Sequence, residues 1–225
     1  MSTVGHAVIA AAGLGSRLGM GKPKCLIEFD GISILQHQLD LLRDVKDVRV
    51  VVGFEEQQVI DLVRHCRPDA IIVRNAAFRS TTTLHSYLMG AQGVKGNCVF
   101  MDGDIVFSPV SFAAFLAACE RDVPLVGVTA AKTQDAVFAG FEDKQVRWFS
   151  RERTSAFEWA NLAWVPPGWF ESPDGNVFER LSKHLPLRGC EVDSFEVDTA
   201  ADHVLAAPRA RQFFAAQFGD FRPSA

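Results

Sequence analysis

The sequence predicts one α/β domain of three layers, with helices on both faces of a mixed, mostly parallel β-sheet. Short apolar runs alternate with helix-period patterns as far as about residue 130, which is the pattern of βαβ units. Hydrophobic residues make up 48% of the 225 residues and charged residues 22%, a composition that supports a sizeable core. The sequence contains no internal repeat, low-complexity tract or linker, which argues against two independent domains.

Two periodicities predict the elements of residues 1–130. Five apolar runs are predicted to be strands: HAVIAA, VRVVVG, AIIV, CVFM and LVGVTA. Helices are predicted where apolar residues recur every three or four positions, in stripes that begin at Leu35, Val59, Leu84 and Phe112. Ser33 is predicted to cap the first helix. Right-handed crossovers then place each helix between two strands.

Beyond residue 130 the pattern contains more β-structure. FAGFED and QVRWFS flank Lys144 as a predicted hairpin, AFEWANLAWV is predicted to be a further strand, and VPPGWFESPDG is rich in turn residues. We expect residues 131–193 to be an insertion that covers the sheet. Residues 194–225 return with SFEVD as a strand, a helix over 201–207 and an amphipathic segment after Pro208.

Composition excludes several function classes. The net charge of −4 gives no attraction for the polyanionic backbone of nucleic acid, and no apolar run approaches the roughly 20 residues that span a bilayer. The five cysteines lie far apart without a CxxC pair and the six histidines lack paired ligand spacing, so no zinc site or disulfide framework is indicated. We expect a cytoplasmic protein without nucleic-acid or membrane partners, and a homodimer stays open.

The segment AAGLGSRLGMGKPKCL, residues 11–26, follows the first predicted strand directly. Its glycines let backbone amides approach a ligand, and Arg17, Lys22 and Lys24 add positive charge, a combination that suits a polyphosphate. In an open α/β sheet, ligands bind beyond the carboxyl ends of the strands, where this loop lies. A Walker A loop needs Ser or Thr after its GK, and this chain has GKP. A dinucleotide fingerprint needs a third glycine, and Leu18 takes that position.

Two acidic segments also follow predicted strands. VFMDGDIVF ends a strand in Asp102, Gly103 and Asp104, and SFEVDTAADHVLA places Asp198 at the end of a late strand. Mg²⁺ takes oxygen ligands, usually one or two carboxylates together with substrate phosphates. Asp104 is therefore the first predicted metal ligand. A turn-shaping role for the first two aspartates and helix capping by Asp198 are the alternatives.

The glycine-rich segment resembles that of the sugar-phosphate-type nucleotidyltransferases, whose pattern is GxGxR, a short spacer, then PK and an apolar residue. The matching positions are Gly13, Gly15, Arg17, Pro23, Lys24 and Leu26. The resemblance implies a Rossmann-like fold of the GT-A type and transfer of a nucleoside monophosphate from a nucleoside triphosphate to a phosphorylated acceptor, with release of pyrophosphate. It also implies catalytic roles for Arg17 at the pyrophosphate and Lys24 at the α-phosphate, and Mg²⁺ ligation by Asp104 and Asp198.

The same resemblance implies a nucleotide-binding part over residues 1–130. Its expected contacts lie at the end of the first strand, in the glycine-rich loop, at the start of the third helix and beside the metal: Ala11, Ala12, Gly13, Leu14, Gly15, Ser16, Thr82, Thr83 and Asp102. Helix capping by one of the threonines is the alternative. The run from Asn75 to Ser86 is similar to the phosphocholine cytidylyltransferase-like branch, which favours CTP.

The insertion at 131–193 is expected to bind the acceptor through Glu158 and Trp159. A glutamate before the corresponding strand often contacts the acceptor in the resembled family, and a tryptophan face can hold a quaternary ammonium group. Choline phosphate, phosphonates and sugar phosphates stay open, as does a core position for Trp159. The acceptor phosphate is itself an anionic nucleophile, so no general base is required.

Three rival functions also stay open. A molybdenum-cofactor nucleotidyltransferase or a non-catalytic nucleotide sensor would keep the glycine-rich loop. A nucleotide-sugar glycosyltransferase would use Asp102, Gly103 and Asp104 as a DxD metal motif.

Overall fold

The computed structural model describes residues 3–13, 21–132, 136–172, 175–197 and 200–218, with only the backbone at 200–202 and 205. The strands are β1 His6–Ala11, β2 Glu28–Phe29, β3 Ile32–Ser33, β4 Asp47–Val52, β5 Ile71–Arg74, β6 Cys98–Asp102, β7 Ile105–Phe107, β8 Leu125–Ala130, β9 Phe138–Glu142, β10 Gln145–Ser150, β11 Phe157–Val165, β12 Leu187–Glu191 and β13 Ser194–Glu196. The α-helices are α1 Ile34–Leu41, α2 Glu56–Cys66, α3 Thr83–Gly90, α4 Pro109–Ala118, α5 Val177–Ser182 and α6 Ala200–Phe218. Short 3₁₀ turns lie at Lys24–Leu26 and Pro167–Phe170.

The main sheet has the strand order β5-β4-β1-β6-β11-β8-β12-β10-β9. β5, β4, β1 and β6 run parallel to one another, and β8 pairs parallel with β12. β11 runs antiparallel to both β6 and β8. The predicted mixed α/β sheet is confirmed. Because β1, β4, β5 and β6 are parallel, their carboxyl ends meet at one edge, where loop residues can form a site.

Alternation along the central strands builds the three layers. Ile9, Val50 and Met101 belong to a core cluster with α1, α2 and α4, whereas Val8 and Phe100 belong to a second cluster with α3 and α5. Successive strand residues point to opposite faces of the sheet, so one run of apolar residues serves both layers. Ser33 caps α1 as predicted, since its hydroxyl accepts a hydrogen bond from the backbone N–H of Gln36 at 3.1 Å.

The expectation that residues 131–193 cover the sheet is wrong, because their strands are part of it. β11 lies between β6 and β8, with Leu162 opposite Met101 and Ala163 opposite Val126. The last four residues of β11 are buried, which suits a central strand with apolar neighbours on both faces. The predicted hairpin around Lys144 is confirmed as β9 and β10.

Residues 200–218 form one helix, not a short helix that ends before Pro208 and a separate segment after it. α6 continues through Pro208, which removes one backbone hydrogen bond and costs about 3 kcal/mol in a helix interior. Phe213 and Phe214 are buried by this helix against Phe29 and Ile34. Burying two large apolar side chains contributes about 3 to 6 kcal/mol, which is at least as large as the cost of the proline. In the described ranges, no helix has the length and apolarity to cross a bilayer.

Candidate functional site

A cleft of about 470 Å³ opens at the carboxyl edge of the parallel strands. Its walls come from the end of β1, the 3₁₀ turn at Lys24–Leu26, the segment between β5 and α3, the β6–β7 turn and the start of α5. The polar and charged residues that line it are Lys24, Asn75, Arg79, Thr81, Thr82, Thr83, Ser86, Asp102, Asp104 and Asn176. The cleft therefore lies where the glycine-rich loop leaves β1.

Lys24 is held at the cleft by a tight turn. Pro23 accepts a hydrogen bond from the N–H of Leu26 at 2.9 Å, and the buried side chains of Cys25 and Leu26 anchor the turn to the core. The Lys24 ammonium lies 3.3 Å from Asp104 Oδ2 and 3.8 Å from Glu196 Oε1. These contacts keep the Lys24 ammonium facing the acidic turn, which consists of Asp102, Gly103 and Asp104.

The acidic turn is built tightly against β1. The N–H of Gly103 donates to the carbonyl of Ala10 at 2.9 Å, and a Cβ at position 103 would lie 2.9 Å from that same oxygen. Such an approach is closer than side-chain carbons tolerate, so glycine is required between the two aspartates. The turn consequently presents Asp102 and Asp104 beside the end of β1.

Asp102 and Asp104 have different environments. The Tyr87 hydroxyl donates to Asp102 Oδ1 at 2.5 Å. Burial, followed by repulsion from Asp104, raises the pKa of Asp102 to about 7. Burial likewise raises the pKa of Tyr87 well above its ordinary value. Asp104 instead pairs with Lys24 at the cleft, so it is the better placed of the two to meet a ligand.

The start of α3 supplies the polar wall opposite the acidic turn. Thr82 is the N-cap residue, yet its hydroxyl makes no capping bond and donates to the carbonyl of Gly175 at 3.3 Å. Thr83 follows as the first helical residue. The buried Asn75 side chain donates to Thr81 Oγ1 at 3.0 Å and to Ser86 Oγ at 3.3 Å. This network orders the segment that brings the threonines to the cleft.

Glu158 and Trp159 lie at the start of β11, outside the lining of this cleft. Glu158 Oε2 accepts a hydrogen bond from the backbone N–H of Lys132 at 3.1 Å. Trp159 is only 7% exposed, and its indole N–H donates to the carbonyl of Leu162 at 3.2 Å. The structure therefore places the Trp159 ring in the core and leaves Glu158 near the end of β8. Burial lowers the pKa of the neighbouring Lys132, which donates to Thr129 Oγ1 at 3.1 Å.

The cleft brings together many of the predicted residues: Ala11, Ala12, Gly13, Lys24, Thr82, Thr83, Asp102 and Asp104. Five others lie outside the described residues: Leu14, Gly15, Ser16, Arg17 and Asp198. Across the described ranges, no three His, Cys, Asp or Glu side chains form a group that could hold a metal ion. The predicted pair of Asp104 and Asp198 falls outside that search.

Several polar residues of this region are not among the predicted site residues. Arg79 and Asn75 line the cleft, and Glu196 approaches Lys24. Glu196 lies two residues before Asp198, so the period-two alternation of a strand was a usable signal for placing both carboxylates on one face. Asn75 begins the run to Ser86 that marked this segment, but its hydrogen bonds to Thr81 and Ser86 do not follow from the sequence pattern.

Comparison with known proteins identifies the family of this chain. Residues 7–212 match the model of the MobA-like NTP transferase domain. The chain belongs to this family. It is 27% identical over 199 residues to CMP-5'-(3-aminopropyl)phosphonate synthase of Streptomyces rubellomurinus, covering 82% of this chain and 32% of that protein. It is 26% identical over 209 residues to 2-C-methyl-D-erythritol 4-phosphate cytidylyltransferase of Rhodococcus opacus, covering 89% and 92%.

The fold has a solved counterpart of the same extent. The inositol-1-phosphate CTP transferase from T. maritima superimposes with a TM-score of 0.81 at 15% identity, covering 99% of this chain and 100% of that one. This likeness supports the nucleotidyltransferase type of α/β fold. The chain spans less than half of the length of two curated relatives that it matches, 32% of one and 45% of another.

Proposed function

We propose that this protein transfers CMP from CTP to a small acceptor that carries a phosphate or phosphonate group, and releases pyrophosphate. The observation that carries the proposal is the position of Lys24, which is paired with Asp104 in a cleft at the end of β1. The similar proteins support CTP as the nucleotide, because they include a CMP-phosphonate synthase, a cytidylyltransferase and a CTP transferase.

The proposed reaction needs charge neutralisation more than proton transfer. An oxygen of the acceptor phosphate attacks the α-phosphorus of CTP, and the bond to the β-phosphate bridging oxygen breaks as pyrophosphate leaves. Both partners are anions, so the barrier falls when cationic donors stand where negative charge accumulates. We propose that Lys24, which lines the cleft, contacts the α-phosphate, and that Arg17 and the backbone of Gly13 to Ser16 contact the remainder of the triphosphate.

The acidic turn fits a divalent cation by its chemistry. The Asp104 carboxylate offers oxygen donors, keeps 22% of its side chain exposed at the cleft and faces an ammonium group that a metal can replace as its partner. We propose that Asp104 and Asp198 hold Mg²⁺, which when bound would neutralise phosphate oxygens. Thr82 and Thr83 are proposed to contact the nucleoside, and Asp102 is proposed to border it.

The acceptor is proposed to lie toward the start of β11, on the side of Glu158. A carboxylate at this position suits an acceptor with an amino or hydroxyl group, and the name of the Streptomyces relative describes an aminopropyl phosphonate. Because Trp159 is buried and its indole N–H is already paired, the aromatic ring contributes packing to this region.

Pyrophosphate release tests the proposal directly. The five nucleotides CTP, UTP, GTP, ATP and dTTP would be assayed with phosphocholine, aminoalkylphosphonates and sugar phosphates, with and without Mg²⁺. We expect release that requires CTP, Mg²⁺ and one class of acceptor. A sensor would bind nucleotide and release none, and a glycosyltransferase would consume a nucleotide sugar without releasing pyrophosphate.

Lys24→Met and Lys22→Met form a matched pair for the assigned cation. Lys22 is exposed and does not line the cleft, although it lies two residues from Lys24. Loss of one donor to a developing anion typically lowers kcat by about 100- to 1000-fold. We expect such a loss for Lys24→Met and a change of less than about threefold for Lys22→Met. Equal effects of the two substitutions would contradict the role of Lys24.

A further inference from the structure

The Gln38 side chain of α1 forms hydrogen bonds to the backbone on both sides of the acidic turn. Gln38 is fully buried in α1. Its Nε2 donates to the carbonyl of Asp102 at 2.8 Å and to the carbonyl of Ile105 at 2.7 Å. These two carbonyls stand on either side of Gly103 and Asp104. Because both partners only accept hydrogen bonds, the NH₂ group and not the oxygen of the amide must face the turn.

The neighbouring residue in α1 extends this attachment to β7. His37 Nε2 donates to the carbonyl of Phe107 at 2.8 Å, two residues beyond Ile105. On the opposite side the N–H of Gly103 donates to Ala10 in β1. The backbone around Asp104 is therefore fixed by α1 and β1, and none of these hydrogen bonds uses the Asp104 side chain.

Burying the Gln38 amide beneath the acidic turn is energetically costly. Its Oε1 is buried and has no hydrogen-bond partner in the part of the chain that the structure describes, which carries a desolvation cost. The buried residues three and four positions away on the same face, Ile34, Leu35 and Leu42, are apolar. A side chain that served packing alone would also be apolar, so the two N–H bonds to the turn explain the amide.

We propose that Gln38 is the positioning residue for Asp104. By fixing the carbonyls of Asp102 and Ile105, it keeps the Asp104 carboxylate directed at the cleft, 3.3 Å from Lys24, without touching substrate. The inference rests on the proposed function only in giving Asp104 its role in catalysis. The mechanical part, that Gln38 holds the turn closed, is independent of it.

Gln38→Met tests the proposal because methionine matches glutamine in length and lacks the two donors. We expect the variant to fold and to bind CTP without metal within about threefold of the wild-type Kd. We expect kcat to fall at least tenfold, with a smaller change in the KM for CTP. Amide hydrogen exchange at Gly103, followed by NMR, is expected to accelerate at least tenfold because the turn opens more often. Gln36→Met, at a half-buried position of the same helix, is the control and should change neither readout.

Two results would overturn the proposal: wild-type kcat together with unchanged exchange at Gly103, or losses of CTP affinity and kcat of equal size, which a general packing defect would give. If Gln38→Met does not fold, Gln38→Asn takes its place, since the shorter amide stays polar but cannot bridge both carbonyls. If the wild-type protein releases no pyrophosphate with any nucleotide, the proposed function fails. The exchange rate at Gly103 then still decides whether Gln38 holds the turn.

Discussion

Acidification is expected to destabilise this protein through one buried histidine, His37. The ring is fully buried, packs against Phe214 with ring centroids 4.5 Å apart, and donates through Nε2 to the carbonyl of Phe107. Its Nδ1 has no hydrogen-bond partner within the described residues. Protonation would place a charge in this buried site, where Gln217 and Asp40 offset only part of the lost hydration. Burial accordingly lowers the pKa of His37 to about 4 from an ordinary value of 6.5.

The direction and size of the effect follow from the two pKa values. Between pH 6.5 and about 4 the unfolded chain binds a proton at His37 and the folded protein does not, so the free energy of unfolding falls as the pH falls. Above pH 6.5 this contribution is fully present, and below about pH 4 it is fully lost. The gap between the two pKa values corresponds to about 3 kcal/mol.

Urea unfolding between pH 4 and pH 7.5 measures this contribution when wild type is compared with His37→Gln, because glutamine keeps an N–H donor and does not titrate in this range. We expect the wild-type free energy of unfolding to fall by about 3 kcal/mol more than that of the variant over this interval. His65→Gln, at an exposed position of α2, is the control and should follow the wild-type curve. Parallel curves for wild type and His37→Gln would refute the reasoning.

Three further substitutions give distinct expected outcomes. Trp159→Phe removes the hydrogen bond to Leu162 and should lower the free energy of unfolding by about 1 to 3 kcal/mol, while the acceptor KM stays within about twofold; a large rise in that KM would return Trp159 to the acceptor site. Tyr87→Phe leaves the half-buried carboxyl of Asp102 without this donor and should cost about 1 to 3 kcal/mol in urea unfolding; a neutral result would show that the hydroxyl is not needed. Glu158→Gln keeps an oxygen for the backbone N–H of Lys132 and should raise the KM of an amino-bearing acceptor about tenfold, equivalent to about 1.4 kcal/mol, without changing the KM of CTP; an equal rise in both would contradict the placement of the acceptor.

Local pattern was enough to predict most elements of residues 1–130. HAVIAA is β1 from its first residue to its last, because an apolar run between Gly5 and the glycine-rich loop leaves little choice of boundary. The position of β11 was not predictable from pattern. Its partners in β6 and β8 come from distant parts of the chain, and alternation within a strand carries no information about which strands it will join.

The candidate site was predictable where one segment carries the chemistry. Lys24 and the acidic turn both lie in segments where glycines and charged residues follow a strand, which made them recognisable in the sequence. In the structure Lys24 Nζ lies 3.3 Å from Asp104 Oδ2. The contacts of Gln38 and Tyr87 with the acidic turn were not predicted, because helix periodicity marks each position only as part of a buried helix face. The usable signal for Gln38 was a polar residue three positions after Leu35, on the apolar face of α1.

A crystal structure with a non-hydrolysable CTP analogue and Mg²⁺ tests most directly whether this cleft binds the nucleotide. The account predicts the α-phosphate within hydrogen-bond distance of Lys24 Nζ, the cation bound by Asp104, and the nucleoside against Thr82 and Thr83. An analogue bound elsewhere on the protein, with Lys24 still paired to Asp104 as it is here, would contradict it.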